Sequence, residues 1–314
     1  MQYARELPLV TVGMTSYRHA KYIGDAIESV LDQTYQNIEL IVSIDYCDDG
    51  SVEIAQDYAR KYKGKVFVQV HNERLGASGN AQSLLPLVRG DLFCWFASDD
   101  LMHRSKIEEQ VQAFLDSPDI VACYHDMQLF DDASGKDIAK FNVDYPMHRP
   151  LEGAVAKDLV SLGCFIGANA YMVRSDVLRK IEFPHKVPRV SDWLLLIEIA
   201  LLGDFKFINK PLMAYRIHTE NLSRVFDISY EKIAYDWLSN REGIDAEDIR
   251  KGLIRLYFCY AFHYFKRKEL SLGFASVRQS VSRLQSLSDL GFFFGLLFRI
   301  MKQKCRLFLK SLCN

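Results

Sequence analysis

Over its first hundred residues the chain alternates short apolar runs (8–14, 38–44, 65–70 and 92–97) with segments of helical patterning at 22–32, 52–62 and 77–88. Few folds accommodate that rhythm. Each crossover is long enough to return the chain to the same edge of a sheet, so neighbouring strands pair in parallel and the helices cover both faces. The expectation is an α/β chain with a doubly wound, mostly parallel sheet. Pro86 is an awkward guest near the end of the third helix.

The fourth run, Leu92-Phe93-Cys94-Trp95-Phe96-Ala97, carries no charge and reads as a strand buried on both faces. It leads straight into Ser98-Asp99-Asp100. An ionised pair is too costly to bury unpaired, so these acids belong where the strand leaves the sheet. In open α/β sheets that carboxyl edge is where ligands bind. Two acids there suit a hard divalent cation, Mg²⁺ or Mn²⁺, carrying substrate phosphates. The plainer reading is a helix N-cap for the segment 105–115.

The other strand ends carry Thr15 and Tyr17, then Asp45. A tyrosine stacks on a base, and a carboxylate accepts from a pyrimidine ring N–H. Taken singly, Tyr17 reads as a packing aromatic and Asp45 as a turn residue. Their occurrence with the acid pair at three strand ends favours a nucleotide site. The first loop lacks Gly-x-Gly-x-x-Gly, and no Gly-x-x-x-x-Gly-Lys-Ser/Thr occurs, which disfavours dinucleotide cofactors and P-loop chemistry.

Beyond residue 115 the rhythm changes. Residues 120–130 read as a strand pair, 141–151 as an irregular segment containing His148, 153–162 as a helix, and 163–173 as a strand whose glycines permit close approach of a ligand. A buried helix follows from Asp192 to the stop at Gly203, with the helix dipole favouring ionised Asp192. A strand at 204–209 and the segment 211–221, containing His218, close the α/β part.

The series Thr15-Ser16-Tyr17-Arg18, Gln33-Thr34-Tyr35, Arg89-Gly90-Asp91, Ser98-Asp99-Asp100, Ser191-Asp192-Trp193 and Tyr215-Arg216-Ile217-His218 resembles family 2 of the inverting glycosyltransferases, which have the GT-A fold. The resemblance covers residues 8 to about 223. It implies a GT-A domain over 1–224, with a nucleotide-binding half at 8–116 and an acceptor half at 117–224, and a helical C-terminal extension over 225–314. It also implies a nucleotide-diphosphate sugar donor, with UDP inherited from the family, and a glycan or lipid-linked glycan acceptor in surface polysaccharide synthesis. Thr15 and Tyr17 would line base and ribose, Asp45 the base, and Asp99 the ribose or metal. Asp100 would be the principal metal ligand, helped by His218, and Asp192 the general base. Ala97, Ser191 and Gly79 depart from residues common in the family. The alternatives are a non-catalytic nucleotide- or glycan-binding module and a sugar-phosphate nucleotidyltransferase.

Seven scattered cysteines without a Cys-x-x-Cys pair point to free thiols in a reducing compartment. No apolar signal segment opens the chain and no run of 18 apolar residues occurs, so a cytoplasmic protein is expected. The net charge of −1 hides an asymmetry, because residues from Lys251 onward hold 12 Lys/Arg against 2 Asp/Glu. Residues 290–310 carry five cations and no acid among Phe and Leu, which fits a helix lying on an anionic membrane surface. Docking on its own domain or in a homodimer is the alternative. Nucleic acid is not expected.

Overall fold

The computed structural model describes residues 7–144, 150–184, 187, 190–221 and 227–312. The expectations for the first six residues, for His148 and for the boundary at 224 lie outside the described residues.

Among the described residues nine strands form one sheet: β1 (Val10–Ser16), β2 (Ile38–Ile44), β3 (Val66–Val70), β4 (Leu92–Ala97), β5 (Leu101–Met102), β6 (Ala122–Asp131), β7 (Asp137–Lys140), β8 (Tyr171–Arg174) and β9 (Phe205–Ile217). Their order is β3-β2-β1-β4-β8-β6-β9-β5, with β7 paired to β6 off this path. The first four strands pair in parallel. The pairs β4–β8, β6–β8, β6–β7 and β5–β9 are antiparallel, and β6–β9 is again parallel. The sheet is thus mixed and mostly parallel where the nucleotide half was expected.

The described residues also form the helices α1 (Ile23–Leu31), α2 (Ser51–Lys61), α3 (Gly76–Leu84), α4 (Lys106–Asp116), α5 (Phe141–Asp144), α6 (Ala156–Leu162), α7 (Ser175–Leu178), α8 (Ser191–Ala200), α9 (Ile228–Leu238), α10 (Ala246–Lys266), α11 (Leu270–Val281) and α12 (Leu287–Leu312). Strand alternation sorts the core into two layers. Val10, Val12 and Met14 join Leu40, Val42, Cys94 and Phe96 against α1, α2 and α4. Ile41, Phe93 and Trp95 face the other way, into a cluster with α3, α6, α8 and α10. Helix α1 shows why the pattern works: Ile23, Ala26, Ile27 and Val30 recur at helical spacing and are all buried. Each such side chain contributes about 1.5–3 kcal/mol when fully buried. Gly13 is required by this packing, since a Cβ there would lie 2.7 Å from the Phe93 ring.

Several expectations are corrected. Helix α3 stops at Leu84, and Pro86 sits in a 3-10 turn, Leu85–Leu87, where its missing N–H costs nothing. The expected strand pair at 120–130 is one ten-residue strand, and its partner β7 comes later. Only the end of 163–173 is a strand. The glycines before it make room for protein side chains: a Cβ at Gly167 would meet Met127, and one at Gly163 would meet Arg255. The two segments expected at 204–209 and 211–221 are a single strand, β9, which passes through Pro211 by shifting register against β6 on either side of Asp126. A proline that cannot donate to the ladder is tolerated at such an irregularity. No helix among the described residues is long and apolar enough to cross a membrane.

Candidate functional site

The carboxyl ends of β2, β1 and β4 lie side by side, and each delivers a residue singled out in the sequence. Register sets this: Ser16 pairs with Ile44 and Thr15 with Ala97, so Asp45, Tyr17 and Ser98-Asp99 leave the sheet at one level. Thr15, half-buried, adds its carbonyl to the frame by accepting from Ser98 N at 3.1 Å.

Asp45 is buried, and its carboxylate accepts from Tyr46 N at 3.0 Å, Leu75 N at 2.8 Å and Gly76 N at 2.9 Å. It therefore fixes the loop that enters α3. Asn80 continues the tie, donating to the carbonyls of Ser16 and Ser43 while accepting from Ser43 Oγ. The same loop brings Arg74 over the Tyr17 ring, 4.5 Å from its centroid, with Arg18 on the ring at 5.5 Å. Two guanidinium groups thus lie over the Tyr17 ring.

At the end of β4 the two acids part company. Asp99 Oδ2 accepts from His218 Nε2 at 3.0 Å and stands 3.8 Å from His19 Nε2. His19 Nδ1 is held by Ser98 Oγ at 2.8 Å, which aims the other ring nitrogen at Asp99. Among the described residues, ligand atoms of His19, Asp99 and His218 lie within 4.8 Å of one another, a donor set of two imidazoles and one carboxylate that fits a divalent ion. Asp100 points elsewhere. Its Oδ1 accepts from Arg216 N at 2.9 Å and its Oδ2 from Asn169 Nδ2 at 2.7 Å. Burial, and then the Asp99 charge beside it, push the Asp100 carboxyl well above the usual range against the pull of those donors. Among the described residues the group that could hold an ion therefore contains Asp99 and His218, and not Asp100, which was expected to lead it.

Arg216 braces the cluster. Its backbone holds Asp100, its Nε donates to Asp99 O at 2.8 Å, and its Nη1 meets Asp132 at 2.9 Å. Hydrogen bonding from Lys21, with Arg216 and Tyr22, holds the Asp132 carboxyl far below its ordinary value. The Tyr22 ring lies under Arg216 at 4.7 Å and beside His218, centroids 5.2 Å apart. Burial lowers the His19 imidazole pKa, with the Asp99 charge opposing.

Asp192 stands in the first turn of α8, half-buried, with Trp193 N donating to it at 2.9 Å. Burial pushes its carboxyl up, and the Trp193 N–H pulls back. Its neighbour Ser191 bonds Ser78 of α3 at 2.8 Å, joining the start of α8 to the loop that Asp45 fixes.

His19, Asn169 and Arg216 were given no role from the sequence. His19 follows directly on the Thr15–Arg18 motif, and that adjacency was its only signal. Asn169 and Arg216 reach Asp100 from 69 and 116 residues away, which no local pattern reports.

Comparison with known proteins bears on the family and the fold. Residues 11–177, more than half of the chain, match the profile of Glycosyl transferase family 2. An uncharacterised glycosyltransferase of Methanocaldococcus jannaschii is 26% identical over 225 residues, covering 69% of this chain and 74% of that protein. One from Rickettsia felis is 26% identical over 249 residues, covering 78% of this chain but only 40% of its own length. Among solved structures, S. aureus TarS 1–349 in complex with UDP-GlcNAc superposes with a TM-score of 0.66 at 14% identity, over 88% of this chain and 79% of that one. The mannosyltransferase PcManGT from Pyrobaculum calidifontis, in complex with GDP-Man and Mn²⁺, gives 0.58 at 14% identity, over 94% and 87%. The fold is GT-A-like, and the chain belongs to glycosyl transferase family 2.

Proposed function

We propose that this glycosyltransferase is a metal-dependent, inverting enzyme that moves a sugar from a nucleotide-diphosphate donor, UDP foremost, to a hydroxyl of a glycan or lipid-linked glycan in surface polysaccharide synthesis. The observation that carries the reading is the opposition of two unlike acidic centres. One is the Asp99–His218–His19 cluster at the strand ends, and the other is Asp192 in the first turn of α8, a helix tied to α3 through the Ser191–Ser78 bond.

In this reading Tyr17, flanked by Arg18 and Arg74, stacks on the base, and Asp45 shapes the loop that closes around base and ribose. Thr15 lines the ribose side. Asp99 and His218 hold the ion, and Asp100 seats Arg216 and Asn169 behind them. A bound Mn²⁺ or Mg²⁺ supplies Lewis-acid neutralisation of the leaving diphosphate. Asp192 takes the proton from the acceptor hydroxyl as that oxygen attacks the anomeric carbon from the side opposite the leaving group. Burial makes Asp192 a stronger base than a surface carboxylate once it is ionised.

The domain scheme follows: donor half 8–116, acceptor half 117–224, and a C-terminal helical extension. The cytoplasm is the assigned location, with the basic end of α12 resting on the inner face of a membrane.

The test is a screen of nucleotide-sugars for nucleotide release and transfer with Mn²⁺ or Mg²⁺. Turnover of a UDP-sugar that stops with chelator, and stops in Asp192→Asn while nucleotide binding persists, is expected. Full turnover in excess chelator, or no nucleotide binding at all, overturns the reading.

A further inference from the structure

We propose that the ion is bound through both histidines, His19 Nε2 and His218 Nε2, with Asp99 Oδ2 as the single carboxylate ligand, and that this set selects a transition ion such as Mn²⁺ or Co²⁺ over Mg²⁺.

Geometry comes first. Cis ligands of an octahedral ion at about 2.1 Å stand about 3.0 Å apart. The His218–Asp99 separation is 3.0 Å, the His19–Asp99 separation 3.8 Å, and all three ligand atoms fall within 4.8 Å of one another. Small rotations of His19 complete the set. The rings stand at 86° with centroids 6.1 Å apart, so their nitrogens converge without stacking.

The supports are in place as well. Ser98 Oγ holds His19 Nδ1 at 2.8 Å, the outer hydrogen bond that fixes ring orientation and tautomer in metal-ligating histidines. His218 packs against Tyr22, and its own backbone N donates to Asn221 Oδ1 at 2.6 Å. Its Nδ1 accepts from Glu220 N at a long 3.4 Å, so Nε2 carries the proton that it gives to Asp99. Loading moves that proton to Nδ1 in exchange for the weakest contact in the cluster.

The choice of ion follows from what the set lacks. Mg²⁺ wants oxygen ligands, whereas affinity for a site that includes nitrogen rises along the first-row ions from Mn²⁺ to Co²⁺. A second carboxylate is withheld twice over: position 97 is alanine, and both oxygens of Asp100 are engaged by Arg216 N and Asn169. Two nitrogens and one oxygen remain.

The inference rests on the glycosyltransferase reading for what the ion does, and its test measures binding without donor or turnover. The full chain is titrated with Mn²⁺ and Co²⁺ against Mg²⁺ as competitor, and nitrogen hyperfine couplings are measured on bound Mn²⁺. Mn²⁺ binding at least tenfold tighter than Mg²⁺, with couplings from two imidazoles, is expected. His19→Ala and His19→Gln should weaken Mn²⁺ by about 10–100-fold, leave Mg²⁺ competition nearly unchanged and remove one coupling. Equal affinities, couplings from fewer than two rings in the unaltered protein, or unchanged selectivity in a folded His19 variant overturns the proposal. If either variant fails to fold, the coupling count in the unaltered protein decides. Selective Mn²⁺ binding without any nucleotide-sugar turnover would sink the enzymatic reading and leave this one standing. Turnover with Mg²⁺ bound as tightly as Mn²⁺ would do the reverse.

Discussion

The end of β4 and the start of α8 both hold carboxylates away from bulk water, and they treat them differently. At β4 the acids are surrounded: His218 and His19 face Asp99, while Arg216 and Asn169 hold Asp100. At α8, among the described residues, the Asp192 carboxylate accepts from the backbone N–H of Trp193 and from its own. The first arrangement fixes position, since both oxygens of Asp100 and Oδ2 of Asp99 have partners. The second raises affinity for a proton, because burial is opposed by little else. A ligand cluster needs the former and a base needs the latter.

The comparison breaks most sharply at Asp192. Asp192→Asn should lower turnover by at least about 10³-fold, roughly 4 kcal/mol of barrier, with nucleotide affinity within threefold. Asp99→Asn should lower turnover by about 10²-fold and weaken metal-dependent donor binding along with it, about 2.7 kcal/mol. Steady-state rates and nucleotide titrations on both variants separate the two patterns. If Asp192→Asn stays within tenfold of the unaltered enzyme, another residue is the base.

The same contrast has a stability consequence. The folded pKa of Asp192 lies above its unfolded value, so its protonated form favours folding. That contribution is present below the unfolded pKa and is lost as pH rises through the folded value. At neutral pH the ionised group is therefore a net cost to folding. Asp192→Asn should melt higher at neutral pH, with the gap closing towards acid pH. A variant that melts lower at every pH would show that the carboxylate is stabilised by groups not recognised here as its partners.

Legibility in the sequence follows the same division. Strands β1 to β4 were readable because their apolar runs are short and separated by patterned helices, and Thr15, Tyr17, Asp45, Asp99 and Asp100 fall at their ends by simple register. Beyond residue 116 local pattern failed. The ten-residue β6 and the thirteen-residue β9 pair through register shifts, and Pro211 looked like a break because a bulge that tolerates it is invisible in one strand alone. Arg216 stands within the Tyr215–His218 motif, but its grip on both acids and on Asp132 depends on β9 returning beside β5 and β6. Asp99 and Asp100 were interchangeable as letters, and only their neighbours distinguish them.

Asp45 gives a smaller, donor-side effect. Two of its bonds, to Leu75 N and Gly76 N, hold the loop that carries Arg74 over Tyr17. Bonds to a charged acceptor contribute about 1.5–3 kcal/mol each, part of which is recovered as the freed loop finds water. Asp45→Ala should raise the donor KM about tenfold, near 1.4 kcal/mol, with kcat within threefold. A drop in kcat without a change in KM would mean that the loop serves Asp192 through the Ser78–Ser191 bond and not the nucleotide.

The least effect on chemistry is expected at the far end of the chain, where neither treatment of charge applies. Helix α12 is anchored near its start, with Asp289 accepting from Arg250 and from Gln285 N, and at Leu296, buried with Ile254 and Phe258. Its opposite side carries Leu287, Phe294, Phe298 and Met301, which recur at helical spacing and are all more than half exposed. The sequence then adds Lys302, Lys304, Arg306 and Lys310. An apolar stripe continued by cations suits an anionic bilayer, where each cation near the surface contributes about 1 kcal/mol. Truncation within α12 would remove Asp289 or expose the Leu296 packing, so substitution is the cleaner test. Changing those four cations to Gln should reduce flotation with anionic vesicles by more than tenfold and leave turnover of a water-soluble acceptor within twofold. Phe294→Ser with Phe298→Ser should reduce flotation on its own. If the unaltered protein does not float at low salt and instead sediments as a dimer that these substitutions dissociate, the stripe faces a second copy of the chain and not a membrane.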